Sequence, residues 1–392
     1  MGLSFSEWKE VAISETIISS NTGLDAIKRA PIVDFNSGIK CLRIQDISQN
    51  KSFENWGFCR VESRNYGRFQ LKKGDIIIAR TGATIGVNKL IKQDLVAVFN
   101  NGLIRLRVNK KVVDNEYLFY NMQSDKYKGY IQSISGGTSS QPNMKMHALL
   151  DFKINLPTIS EQKAIAETLS CLDDKIELNN KINSNLEQTA QAIFKSWFVD
   201  FEPFQDGEFL ESELGMIPKG WRVGTLGDIS SISSGKRPVN KQSEYSQTTK
   251  VPIVGASSVM GYTDSVLYDE KILITGRVGT HGIIQRFSTA CWASDNTLVI
   301  KSDFYETTYQ FLLKVDFVNM NRGSTQPLIT QSDLKNVAIV IPPKNTLIEF
   351  EQLIGAIMKL YEENIVESQA LSQSRETLLP KLMSGEIDVS LV

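Results

Sequence analysis

Two arginines stand at glycine turns in this chain. Arg80-Thr81-Gly82 follows the apolar run Ile76-Ile77-Ile78-Ala79, and Arg277-Val278-Gly279 follows Lys271-Ile272-Leu273-Ile274. A guanidinium so placed has two chemical uses, taking a phosphate or pairing with a guanine edge, while the glycine lets backbone approach the ligand. The plainer alternative is a hairpin turn with the arginine in water. His281 lies near Arg277 and could touch a phosphate; an ordinary loop histidine is the reading preferred. His147 and His281 occupy non-matching positions, which argues against a shared general base.

Other chemistry is excluded by absence. No G-x-x-x-x-G-K-[ST] nucleotide loop occurs, and Gly82-Ala83-Thr84-Ile85-Gly86 lacks the span of a dinucleotide fingerprint. Neither a glycine-rich S-adenosylmethionine loop nor an Asn/Asp-Pro-Pro-aromatic methyltransferase motif is present, and Glu7-Trp8-Lys9 has no upstream Asp for a nuclease metal. Cys41, Cys59, Cys171 and Cys291 form no C-x-x-C pair, so no zinc site is expected; they read as small buried thiols in a reducing cytoplasm. No apolar run approaches membrane-spanning length.

The net charge of −1 conceals a pattern. Residues 1–157 carry +8 and residues 220–345 carry +3, while 158–200, 201–219 and 346–392 carry −3, −4 and −5. Phosphate binding depends on local charge, so two basic segments between acidic ones are compatible with nucleic acid.

The elements that would position these groups come in two copies. Trp8-Lys9-Glu10-Val11 matches Trp221-Arg222-Val223-Gly224, and residues 78–86 match 274–282 with small shifts. Gly137-Thr138-Ser139-Ser140-Gln141-Pro142 matches Arg322-Gly323-Ser324-Thr325-Gln326-Pro327, and from Gln141 onward the offset is a constant 185. These two polar loops can donate to phosphates or bases, or serve as connectors; the connector role is preferred because the repeat preserves them.

Within that offset, apolar residues step by three and four. Ile165, Leu169, Leu172, Ile176, Leu186, Ile193 and Trp197 mark one helical stripe, and Ile354, Ile357, Leu371 and Leu378 mark the other. A lone helix has nothing to bury such a stripe against, so the two are expected to pack as an antiparallel coiled coil, with Asn179, Asn183 and Asn364 fixing register. Ser160 with Lys163 predicts the cap of the first helix, and Pro380 predicts an end or kink near Leu379. Short strands and helices over 116–132 and 305–318 fill the basic segments. The fold class is therefore α+β: two α/β domains in a tandem pseudo-two-fold repeat, joined by two long helices. The boundaries read 1–157 for the first domain, 158–200 for the central helix, 201–219 for an acidic linker, 220–344 for the second domain, 345–383 for the distal helix and 384–392 for a tail.

If the chain reads DNA, bases are best read where the copies differ. Arg43, Gln45, Arg60, Arg64 and Arg68 in the first copy, and Lys236, Arg237 and Lys241 in the second, supply suitable donors. With Arg80, Thr81, Arg277 and Arg322 they are the candidate DNA-binding residues.

The whole chain resembles the specificity subunits of Type I restriction-modification systems. The resemblance rests on the tryptophan openings Trp8 and Trp221, the segment Gly74-Asp75-Ile76-Ile77-Ile78-Ala79-Arg80-Thr81-Gly82 with its second copy, Leu156-Pro157 followed by Glu161-Gln162, and the ending Lys381-Leu382-Met383-Ser384-Gly385-Glu386-Ile387. The second copy departs by having Thr346-Leu347 in place of Glu161-Gln162. The resemblance implies a non-catalytic, cytoplasmic subunit whose two domains each read half of a bipartite duplex DNA site. It implies helices that set the gap and dock two modification subunits, with restriction subunits completing a hetero-oligomer. No cofactor is expected in this chain; S-adenosylmethionine, ATP and Mg belong to those partners. The residues leave two rivals, a methyltransferase with unfamiliar motifs and a protein-only coiled-coil scaffold. A related bipartite Type II specificity subunit matches the family resemblance equally.

Overall fold

The computed structural model describes residues 8–135, 143–320 and 328–389. It divides into two compact units. Unit 1 takes the chain up to Leu178 together with Glu367 onward, and unit 2 is Asn179–Val366.

In unit 1 the strand Lys9–Ala12 pairs antiparallel with Lys153–Leu156, so the start and finish of the first repeat are hydrogen-bonded neighbours. An antiparallel sheet follows in the order Ile17–Thr22, Leu103–Val108, Ile76–Ala79, Asn88–Leu90. A second, mixed sheet orders Ile32–Val33, Phe58–Cys59, Lys40–Leu42 and Ala97–Phe99, its last pair parallel. The strand Ile76–Ala79 separates two cores: Ile76 and Ile78 enter one, Ile77 and Ala79 the other. Burial on both faces is why that run is continuously apolar.

Unit 2 repeats the plan. Arg222–Thr225 pairs with Ala338–Ile341. Its larger sheet orders Ser231–Ser234, Thr297–Lys301, Ile272–Gly276, Gln285–Phe287. Again the inner strand divides two cores, Leu273 on one side and Ile272 with Ile274 on the other.

The long helices are Ile159–Phe198 and Lys344–Ser384. At 1.5 Å per residue the first is about 60 Å long. Within unit 1 the two run antiparallel, with Arg375 on Asp173 at 2.6 Å and Lys175 on Glu367 at 3.1 Å. Within unit 2 the same sense continues: Asn183 donates to the Tyr361 carbonyl at 3.1 Å, and Asn364 donates to Asn183 Oδ1 at 2.8 Å. The stripe serves the domains as well as the helix pair. Ile165 and Leu169 lie in the unit 1 core with Leu378 against it; Ile354 lies in the unit 2 core, flanked by Ile193, Trp197 and Ile357. Leu172, Ile176, Leu186 and Leu371 are half-buried along the seam.

Several sequence expectations are corrected. The cap of the central helix is Thr158, not Ser160: Thr158 N donates to Glu161 Oε2 at 2.8 Å and Glu161 N to Thr158 Oγ1 at 3.3 Å, a reciprocal capping box. Of the end or kink expected at Pro380, the end does not occur, since the distal helix contains Pro380 and runs to Ser384. An interior proline costs about 3 kcal/mol, but each buried large apolar side chain returns roughly 1.5–3 kcal/mol, and Leu382 and Met383 beyond it sit in the unit 1 core. The helix expected over 116–132 is two, Asn115–Asn121 and Asp125–Ser135. The break is local chemistry, since Asn121 Nδ2 turns back to the Tyr117 carbonyl and Ser124 Oγ accepts from Tyr127 N. The helix expected over 305–318 ends at Leu312, and Phe317 beyond it joins the unit 2 core.

The acidic stretch read as a linker folds into a short 3₁₀ turn, Glu202–Phe204, and a hairpin, Phe209–Ser212 with Gly215–Pro218. Its aromatic residues override its charge: Phe201 and Phe204 pack edge-on to Trp221. Of the four cysteines, Cys171 is exposed, on the polar face of the central helix, while the others are buried. Among the described residues no helix is long and apolar enough to cross a membrane.

Candidate nucleic-acid interface

The interface is built around one loop in each unit. In unit 1 the strand Ala97–Phe99 runs into Asn100-Asn101-Gly102, and three segments converge on this loop. Gly23 N donates to the Leu103 carbonyl and Leu24 N to the Phe99 carbonyl; Asn100 N donates to the Leu42 carbonyl and Arg80 N to the Gly102 carbonyl. A side chain at Gly23 would meet Phe99 O at 2.2 Å and Asn100 O at 2.3 Å, so only glycine allows this approach. Gly102 abuts Ile44, which brings the segment carrying Arg43 and Gln45 beside the Arg80 turn.

Unit 2 reproduces these four bonds. Gly235 N donates to the Thr297 carbonyl, Lys236 N to Ala293, Ser294 N to Val254 and Arg277 N to Asn296. Gly235 is as crowded as Gly23, with Ser294 O 2.2 Å from where a Cβ would stand. Lys236 thus occupies the place of Leu24, Gly255 that of Arg43, and Ser294-Asp295-Asn296 that of Asn100-Asn101-Gly102.

The remaining candidates are dispersed. Arg43 is committed to the buried Asp46, at 3.1 Å. Gln45 is exposed. Arg60 lies over the Phe35 ring and Arg68 over Phe69, while Arg64 pairs with Glu62 at 2.8 Å on open surface. Arg64 and Arg68 share the helix Ser63–Phe69 and are both exposed. Lys236, Arg237 and Lys241 are exposed. Thr81 is half-buried, bridged to Asn143. His281 stacks on Phe317, in keeping with a loop histidine. Arg322 and both repeated polar loops lie outside the described residues.

Two charge clusters escaped the sequence reading. In unit 1, buried Asp75 holds Arg107 at 2.7 Å and Arg105 at 3.6 Å, and Arg105 also donates to Asn21, Gln70 and Arg68. Desolvation lowers the Arg105 pKa to about 10 despite Asp75. In unit 2, Arg286 grips Glu306 through two bonds of 2.6 and 2.9 Å and reaches Glu362 at 3.0 Å. Burial pushes the Glu306 carboxyl up against the opposing pull of Arg286, and burial pushes the neighbouring Tyr309 phenol up to about 12. The carboxylates at the centre of both clusters, Asp75 and Glu306, are buried. Glu351 of the distal helix also caps the helix Tyr305–Leu312, accepting from Glu306 N and Thr307 N at 2.9 Å each. Among the described residues no group of His, Cys, Asp or Glu is arranged to hold a metal ion.

A family model for the Type I restriction modification DNA specificity domain matches residues 6–188 and 218–373. The chain belongs to this family. The specificity family is the non-catalytic component of Type I restriction-modification systems. A Type I restriction enzyme specificity subunit of Methanocaldococcus jannaschii is 33% identical over 345 residues, 81% of this chain and 78% of that one. One of Haemophilus influenzae is 24% identical over 473 residues, covering 97% and 100%. The crystal structure of a Type I restriction-modification S subunit from M. genitalium shares the fold, with a TM-score of 0.62 over 96% of each chain at 15% identity. The two stretches matched by the specificity family each contain one of the loop junctions described above.

Proposed function

We propose that this chain is the sequence-reading subunit of a Type I restriction-modification complex, each repeat reading one half of a bipartite duplex DNA site. The carrying observation is a duplicated frame with altered side chains. The hydrogen bonds around Gly23, Gly102 and Arg80 recur around Gly235, Asn296 and Arg277, while the polar residues on that frame differ. Two different half-sites require such a combination: backbone contacts position, and side chains at base edges specify. The basic balance of both repeat segments supplies local attraction to phosphate.

In this reading the long helices set the gap between half-sites and dock two modification subunits, and restriction subunits complete the assembly in the cytoplasm. Methylation with S-adenosylmethionine and ATP- and Mg-dependent translocation and cleavage belong to those partners.

The test is to map methylated adenines in cells carrying this chain with its neighbouring methyltransferase subunit, before and after residues 1–157 are exchanged for those of another family member. One half of the methylated motif changes and the other stays. Methylation indifferent to the exchange sinks the proposal and favours a scaffold.

A further inference from the structure

Arg80 and Arg277 share more than a sequence motif. Each donates its backbone N–H to the junction loop, at 2.9 Å to Gly102 or Asn296, and each accepts at its carbonyl from the strand-like segment opposite, at 2.8 Å from Met144 N or 2.9 Å from Ile329 N. Each is followed by a left-handed glycine, Gly82 at φ +84° and Gly279 at φ +75°. Around both glycines no described residue other than the chain neighbours stands within 4 Å of where a Cβ would lie. Each guanidinium is steered by one bond, Arg80 Nη2 to Asn143 Oδ1 at 3.1 Å and Arg277 Nη1 to Ser234 Oγ at 3.2 Å. In both, Nε is buried and has no partner among the described residues.

This arrangement bears on which of the two earlier uses applies. Residues reading different half-sites have no reason to keep one geometry. The backbone of each arginine is held in the same way in both repeats, although the guanidiniums are tied to non-equivalent side chains; a residue so placed, with donors left over, has a partner common to both half-sites. On duplex DNA that partner is the phosphodiester backbone, and the planar guanidinium suits it because it presents paired donors to paired oxygens. We infer that Arg80 and Arg277 are matched phosphate anchors, one per repeat, which seat each domain on the duplex without reading its sequence. The inference rests on the proposed DNA-reading function and assigns these two residues to positioning, leaving specificity to the side chains that differ.

The experiment measures binding of the full chain, co-purified with its modification subunits, to duplexes with and without the methylated motif, from 50 to 300 mM salt. Arg80→Ala and Arg277→Ala each weaken binding to both duplexes by the same factor, about eight-fold at 0.1 M salt, and flatten the log K against log salt slope by about 0.9 per arginine. Arg80→Lys and Arg277→Lys keep most of the slope, and the methylated motif stays as in the wild type. A motif changed at one half makes the arginine a base reader and overturns the inference. So does an unchanged slope in an alanine variant whose parent binds normally, or a slope that lysine does not restore. A wild-type complex that binds no DNA at any salt instead sinks the underlying functional reading.

Discussion

Asn179 donates its side-chain amide to the backbone carbonyl of Asn364 at 3.5 Å, and the two residues are separated by 185 positions, the offset at which the second copy repeats the first. Equivalent residues of the duplication therefore face each other across the helix pair. Asn183 and Asn364 complete a buried amide cluster.

Removing one member of that cluster strands the other. Asn183→Ala leaves the Asn364 amide without its acceptor and lowers stability by about 1–3 kcal/mol. The double change Asn183→Leu with Asn364→Leu is near neutral or stabilising, since both partners become apolar together. Thermal unfolding of the three proteins decides it; a double variant weaker than the single would contradict the account.

The ion cluster in unit 2 gives a pH prediction. The Glu306 carboxyl is raised by burial, so it binds its proton more tightly folded than unfolded, and stability drawn from it falls as pH rises past the unfolded value. Arg286→Met removes the counter-charge and raises the carboxyl further. The variant is expected to lose about 3–5 kcal/mol at pH 8, and the deficit shrinks towards pH 5 as Glu306 takes up its proton. Melting curves of both proteins at the two pH values measure it, and a deficit that grows on acidification is the contrary result.

Two glycine substitutions separate crowding from flexibility. Gly235→Ala drives a methyl into two backbone carbonyls that cannot move aside, costing 3 kcal/mol or more, at or beyond the roughly 1–3 kcal/mol of ordinary overpacking. Gly129→Ala, exposed in the helix Asp125–Ser135 with nothing near its Cβ position, stabilises by about 0.5–1 kcal/mol. Denaturation midpoints that move in the same direction for both would refute this.

The proposed spacer role makes a geometric prediction. Deleting one heptad from each long helix removes about 10 Å of rise. The gap in the methylated motif then shortens by about three base pairs, at 3.4 Å each along the duplex. An unchanged gap, read by methylation mapping, removes the helices from gap setting.

Sequence legibility followed the constancy of the repeat. Along the helices the offset never changes, so the stripe from Ile165 to Leu378 and the asparagines within it could be aligned directly. Inside the domains the offset drifts from 213 at Trp8 and Trp221 to 212 at Gly23 and Gly235, 197 at Arg80 and Arg277, 194 at Gly102 and Asn296, and 185 at Met144 and Ile329. The first step is the irregularity between Ile17 and Ser19, where the strand carries one extra residue. Residues 18–68 and 236–269 therefore looked unrelated, although Cys41 and Ile253 hold the same place in their sheets, opposite Val98 and Trp292. The DNA-facing candidates were legible as residue types but not as partners. Arg43 is tied to Asp46 by a local bond at the start of the helix Ile44–Ser48, and Asp75 gathers Arg105 and Arg107 through pairings that only the folded sheet creates.

The last turn of the distal helix bears on how the chain is made. Leu382, Met383 and Val389 complete the core that Val11, Ile13 and Ile76 begin, and Gly385 lies against the Trp8 ring. At roughly 5–20 residues per second of synthesis, some two hundred residues, or about 10–40 s, separate Leu178 leaving the ribosome from the arrival of Leu382. Through that interval unit 1 holds an open apolar face for chaperones to cover, and the first domain made is the last one finished.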